Sequence, residues 1–257
     1  MPYIDKLIIY PIKSLDGVEV DTAEITEGGA LHWDRAIALY NEAGRTVNAK
    51  KYPAILRVRA NFDLENQEVR LQNSPSNSET FSLTNELEKL AAYFSDYFGE
   101  KLSIRQNMQS GFPDDDENSG PTLVSQASYL ELQRWFPTLS LDSFRKRFRA
   151  NIELGGCELA FWEDRLFAAP AQEVGFQLGE VAFLGKKPCA RCTVPARDPY
   201  TAENDKSFMT SFIQMREQTM PTFANIEQFS HYYHLCVNTV LPPTERGKTL
   251  QVGDLFK

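Results

Sequence analysis

The segment KKPCARCTVPARDP, residues 186–199, sets Cys189 and Cys192 three positions apart with Arg191 between them. A structural zinc site needs four ligands. The chain has no second C-x-x-C, Cys157 and Cys236 stand alone, and His32, His231 and His234 lack a ligand spacing with them. A thioredoxin-like dithiol belongs at the start of a helix, whose dipole lowers the thiol pKa. This pair instead follows a strand-like run and precedes a proline-containing extended segment. Simple packing of buried thiols suits Cys157 and Cys236 better than Cys189 and Cys192, whose surroundings are polar. A further chemistry is a thiolate bound to a redox metal that an organic cofactor largely holds. Arg191 would favour the thiolate, and the protein would add one soft ligand and many hydrogen bonds. The dithiol, packing and metal-thiolate readings all stand on these residues alone.

The elements around the segment are mostly strands. Tyr3 to Ile12, Val18 to Thr26, Arg35 to Asn41 and Ile55 to Phe62 are rich in β-branched and aromatic residues. VRLQNSPSNSETFSL reads as a hairpin. A helix follows Thr84 as N-cap, with Leu87, Leu90, Ala91, Phe94 and Phe98 on one stripe and Gly99 at its end. SQASYLELQRWF and LDSFRKRF read as two short helices, and Asp205 to Gln218 as another. RANIEL, LFAA, VAFLGK, HLCVNTVL and TLQVGD read as strands. The fold class expected is mainly β with helices (α+β), as barrels decorated by helices. MQSGFPDDDENSGP, residues 108–121, reads as a solvated mobile loop and a domain seam.

With 257 residues and a formal charge of −8, the chain is an ordinary globular length and a poor general binder of nucleic acid. Any bound anion needs a local pocket of Lys and Arg. No signal peptide is apparent, and no apolar run reaches the roughly 18 residues of a membrane span. A cytoplasmic location is expected, with no GxGxxG or Walker motif to suggest a nucleotide.

KPCARCTVPARDPYTA, preceded by RFRANIELGG and, at the N-terminus, by YPIKSLDG, resembles the MOSC superfamily (the molybdenum cofactor sulfurase C-terminal domain). The resemblance is nearest to two-part members, such as the mitochondrial amidoxime-reducing component and its bacterial relatives. It implies an N-terminal β-barrel-like domain over 1–107 and a MOSC β-barrel domain over 108–257. It implies the molybdenum–molybdopterin cofactor (Moco), with Cys192 as the metal ligand and catalytic thiolate. Lys13, Ser14, Arg35, Arg149 and Asn151 fall on positions that hold the pterin and its phosphate, Tyr232 on one close to the cofactor, and Arg191 completes the cofactor-binding set. Three cations from distant segments suit an anionic pterin, arginine by bidentate contact and lysine as a point charge.

Three departures accompany the resemblance. Ala150 replaces a common proline, Ala190 stands where relatives often carry serine, and Asn118 to Gly120 occupy a stretch that often holds an aspartate. Asn118 lacks the carboxylate needed for a base. The activity implied is reduction of small N-hydroxylated substrates such as amidoximes. No C-terminal four-cysteine cluster follows, so electrons are expected from a separate ferredoxin, flavoprotein or cytochrome b5-like donor. The alternative is a cofactor carrier or sulfur-transfer module with a persulfide on Cys192. A chain this short has no room for the pyridoxal-phosphate domain of a full sulfurase. A simple dithiol would instead make Cys189 and Cys192 equally important.

Overall fold

The computed structural model describes residues 1–257, the side chain of Asp116 excepted. Strands dominate, as the sequence pattern requires. Seven build the central sheet: β1 (Tyr3–Ile9), β2 (Val18–Val20), β9 (Leu123–Ser125), β10 (Ile152–Gly155), β11 (Val174–Leu178), β12 (Val181–Ala190) and β13 (His234–Val240). Their order is β11-β12-β13-β9-β10-β1-β2. β10 runs parallel to β9 and antiparallel to β1, so the first strand of the chain completes a sheet made mainly of late ones. β3 (Thr22–Glu24) likewise pairs with β14 (Thr249–Gln251). The intervening N-terminal strands form two smaller sheets: β4 (Ile37–Asn41) with β8 (Leu102–Gln106), and the meander β5 (Arg59–Asp63), β6 (Glu68–Ser74), β7 (Asn77–Ser82).

Four α-helices cover these sheets among the described residues: α1 (Leu87–Phe98), α2 (Gln126–Trp135), α3 (Leu141–Phe148) and α4 (Phe208–Gln218). α1 buries Leu90, Tyr93 and Phe94 and stops at Gly99, which takes a left-handed φ of +67° that a side chain would strain. Ser125 and Ser140 cap α2 and α3 by accepting the Ser128 and Ser143 amides. One core joins strands from both ends of the chain, including Leu7, Leu39, Leu154 and Val237. A second, aromatic cluster packs Tyr129, Phe144, Phe148, Phe208 and Phe212 beneath α2, α3 and α4. Each such side chain contributes roughly 1.5–3 kcal/mol by leaving water.

Several local expectations are corrected. Thr84 is not the cap of α1; the cap position is Glu86, whose carboxylate instead accepts the Ser82 amide. Pro53 turns the start of the expected Ile55 strand into a 3-10 turn over Pro53–Arg57. LFAA is not a strand, because the chain leaves a 3-10 turn at Leu166 and passes into a loop. β11, a few residues further on, was not expected, since Gly175 breaks its apolar run.

Candidate functional site

The residues at the site come from segments that the sheet order gathers together. β12 delivers Cys189 at its end, and Ala190 pairs across to His234 at the start of β13. α3 is capped by Arg149, which has a left-handed φ of +55° and whose side chain meets the Tyr10 ring and the Leu15 carbonyl. Arg35 precedes β4, also with a positive φ of +51°. Non-glycine residues held there store strain, which clusters at sites where a side chain must be aimed.

These groups border a cavity of about 810 Å³. Its wall includes Arg35, Arg149, Asn151, Cys189, Ala190, Arg191 and His234, and residues 113–115 and 117–120. The size suits a bound small molecule. Arg35 and Arg149 hold their guanidinium groups against the same Tyr10 ring, 5.2 and 4.1 Å from its centroid. Arg35 is neutralised by Asp34 and also donates to Asn151 Oδ1 at 3.3 Å. Asn151, 1% exposed, is locked by donating to the Ile8 carbonyl and accepting from Thr122. Arg149 and Arg191 differ. Among the described residues neither has a carboxylate partner: Arg149 donates to the Leu15 carbonyl, and Arg191 to the Phe148 carbonyl and, at 3.0 Å, to Cys189 Sγ. Arg191 Nε is buried with no partner. Burial lowers the Arg149 pKa, with the neighbouring Arg35 charge adding to that, whereas in Arg191 burial is outweighed by the nearby thiols and the pKa rises.

Segment 108–121 is not the free solvated loop its acidity suggested. Lys13 Nζ donates to the Phe112 and Pro113 carbonyls and pairs with Asp114 at 2.6 Å, while Lys187 pairs with Asp115 at 2.9 Å. Burial opposes ionisation of Asp114, but Lys13, Arg35 and Arg149 overcome it and hold the carboxyl below its usual value. Asp115 is held down the same way by Lys187 and Asn118, whose amide donates to both carboxylate oxygens. The charge run is therefore tied into a cavity wall by partners that lie far away in sequence.

Residues 118–255 match the MOSC domain, and residues 1–101 match the MOSC N-terminal beta barrel domain. The chain belongs to the MOSC family.

The relatives of this MOSC chain include proteins named "Molybdenum cofactor sulfurase". That of Oryza sativa subsp. japonica is 31% identical over 40% of this chain and 12% of its own length. Those of Caenorhabditis briggsae and Aspergillus oryzae are each 24% identical, over 87% and 84% of this chain and 33% and 36% of theirs. The chain thus spans about a third or less of these relatives. A solved structure, the YUAD protein from Bacillus subtilis, aligns over 99% of this chain and 93% of its own at 12% identity and a TM-score of 0.39.

Within the MOSC chain, the residues singled out from sequence divide into two sets. Arg35, Arg149, Asn151 and Arg191 meet at the cavity. Lys13, Ser14, Cys192 and Tyr232 are not part of its wall. Lys13 is committed to residues 112–114, Ser14 accepts the Ala49 amide at 3.4 Å, and Tyr232 stacks beside Phe229. Cys192 is exposed, and the thiol in the wall is Cys189. Sequence reasoning missed Lys187, His234, Asn238 and the two aspartates, Asp114 and Asp115; only Lys187, adjoining PCARC, carried a local signal. Among the described residues no three His, Cys, Asp or Glu side chains converge as a metal site.

Proposed function

We propose that the cavity binds the molybdenum cofactor and that the chain reduces N-hydroxylated compounds such as amidoximes with electrons from a separate donor. One observation carries the cofactor reading: Arg149 and Arg191 face one cavity without a carboxylate partner among the described residues, next to the C-x-R-C thiols. Partly desolvated guanidinium groups left unpaired are costly, and a phosphate or dithiolene anion offsets that cost. The buried, unpartnered Arg191 Nε adds a free donor to the same wall. The absence of a ready cluster of protein ligands among the described residues suits a metal that arrives mostly coordinated.

In this reading Arg149, Arg191 and Arg35 bind the anionic cofactor, Asn151 fixes Arg35, and Cys192 gives the single thiolate ligand. Lys13 and Lys187 hold Asp114 and Asp115 in the cavity wall. When bound, the cofactor supplies the two-electron redox chemistry that no side chain here provides. Cys192 at the exposed end of the motif and Cys189 in the wall make the ligand assignment directly testable.

Protein made in a cofactor-competent host is expected to carry about one molybdenum per chain, since one thiolate ligand is proposed. Cys192→Ala should lose it and Cys189→Ala should keep most of it, as read by elemental analysis. Loss in Cys189→Ala alone would move the ligand to Cys189. Equal metal in all three proteins would defeat thiolate ligation.

A second reading, a carrier or sulfur-transfer module, draws on the relatives named for cofactor sulfuration and on the exposure of Cys192. Benzamidoxime turnover with a chemical reductant separates the two. Metal-loaded protein that never reduces it would favour the carrier.

A further inference from the structure

The ammonium of Lys13, expected at the pterin phosphate, is already committed. Its three protons go to the Phe112 carbonyl at 2.8 Å, the Pro113 carbonyl at 3.0 Å and the Asp114 carboxylate at 2.6 Å. Two of these partners are neutral, and Asp114 alone is an anion. Asp114 lies in the same cavity wall as Arg35 and Arg149. Burial opposes its ionised form, and Lys13 first, then Arg35 and Arg149, favour it. One carboxylate thus faces three cations that an anionic ligand would need.

We propose that Asp114 is a built-in competitor for the anion site, whose carboxylate a phosphate must displace from Lys13, Arg35 and Arg149 in order to bind. The inference rests on the cofactor reading above and adds which wall group sets the affinity. The carboxylate, not the loop, is the moving part. Gly111 takes a φ of +63° and packs so closely that a side chain there would collide with the Asp34 carbonyl oxygen, and the Phe112 amide donates to the Arg35 carbonyl at 2.9 Å. Further along, Lys187 holds Asp115 at 2.9 Å and the Gly120 amide donates to the Thr239 carbonyl at 3.1 Å. Between these anchors the Asp114 side chain is 87% exposed, so a change of rotamer releases Lys13 with the backbone in place.

Charge decides the direction of the exchange. An ion pair with an exposed partner contributes little, because water solvates the carboxylate once it is released. A phosphate monoester near pH 7 carries a charge of about −1.5 to −2 and three acceptor oxygens, so it engages several cations at once where Asp114 brings a single charge. A simple carboxylate such as acetate offers these cations nothing that Asp114 does not already provide. Glu117 stands in the same wall with the same charge, but the three protons of Lys13 are all taken by other groups. Competition is therefore a property of Asp114 and not of wall acidity in general.

The test is the affinity of the protein for inorganic phosphate, read by isothermal titration calorimetry at low ionic strength. Asp114→Asn, a near-isosteric change at an exposed side chain, should bind phosphate roughly five- to tenfold more tightly than wild type. Glu117→Gln removes the same charge from the same wall and should shift the affinity by less than about twofold. Equal affinity in wild type and Asp114→Asn, an equal gain in both variants, or no phosphate binding by either wild type or Asp114→Asn would overturn the proposal. Adding Lys13→Gln to Asp114→Asn should abolish the gain, and a gain that persists would overturn the competition at Lys13. Molybdenum content of the same preparations tests the cofactor reading separately. A wild type that binds phosphate but never loads molybdenum would defeat that reading, and the phosphate comparison would still decide the role of Asp114.

Discussion

Arginines one turn apart in and just beyond the same short helix meet opposite fates. On the sealed side of the sheet, Arg145 makes a bidentate pair with Glu153 at 2.7 and 2.8 Å, and Glu153 is 1% exposed. Arg216 is likewise buried against Asp164, and Glu163 accepts from Ser125 and Ser128. On the open side, four residues beyond Arg145, Arg149 has one backbone carbonyl and a cavity. The sealed region spends its charges on the fold, whereas the cavity leaves two guanidinium groups to be neutralised from outside. A cation with no internal partner is informative where a paired one is not, because only the first implies a missing anion.

This contrast breaks most readily at Arg145. Replacing it by Ala leaves the Glu153 carboxylate buried and alone, and should cost about 3–5 kcal/mol in urea unfolding. Arg149→Met should stay within about 1 kcal/mol of wild type, since it removes a cation without a carboxylate partner, yet lose bound molybdenum. A large stability loss in the second variant would erase the distinction between the two regions.

A smaller effect tests the sealed side by pH. Burial, and then the charge of Asp164, push the Glu163 carboxyl up to about 7 from 4.5. Between those values the native state keeps a proton that the unfolded chain has released. The stabilisation is therefore complete below the unfolded pKa and is lost as pH rises through the folded one. Wild type should lose roughly 2–3 kcal/mol more than Glu163→Gln between pH 4.5 and pH 8. Parallel stability curves for the two proteins would place Glu163 in contact with water. The smallest effect is expected at Tyr10→Phe. It removes one hydrogen bond to the Ala150 carbonyl while keeping the ring under both guanidinium groups, so about 1 kcal/mol of stability should go and molybdenum content should hold.

The sequence made the strand-rich class, all four helix stretches and four of the wall residues legible, because alternation, apolar stripes and the motif order are local signals. Gly99 belongs with them, whereas the serine caps of α2 and α3 were not read from the sequence. Pairings across the chain were not legible: nothing near DDDEN announces that Lys13 and Lys187 will hold it. The same limit hid His234, which reads as an ordinary strand residue until β12 brings Ala190 beside it. The strained backbone at Arg35 and Arg149 was equally invisible, because tertiary packing and not local propensity imposes it.

The pairing of Tyr3 in β1 with Gly155 in β10 has a consequence for synthesis. At the usual pace of about 5–20 residues per second, the ribosome finishes the complementary segment roughly 10–30 s after the first strand emerges. During that interval the strand segment DKLII, which finds β2 soon after synthesis, waits with its other edge unpaired and open to any passing chaperone or to another nascent copy. Cutting the gene between its two halves would make that wait permanent.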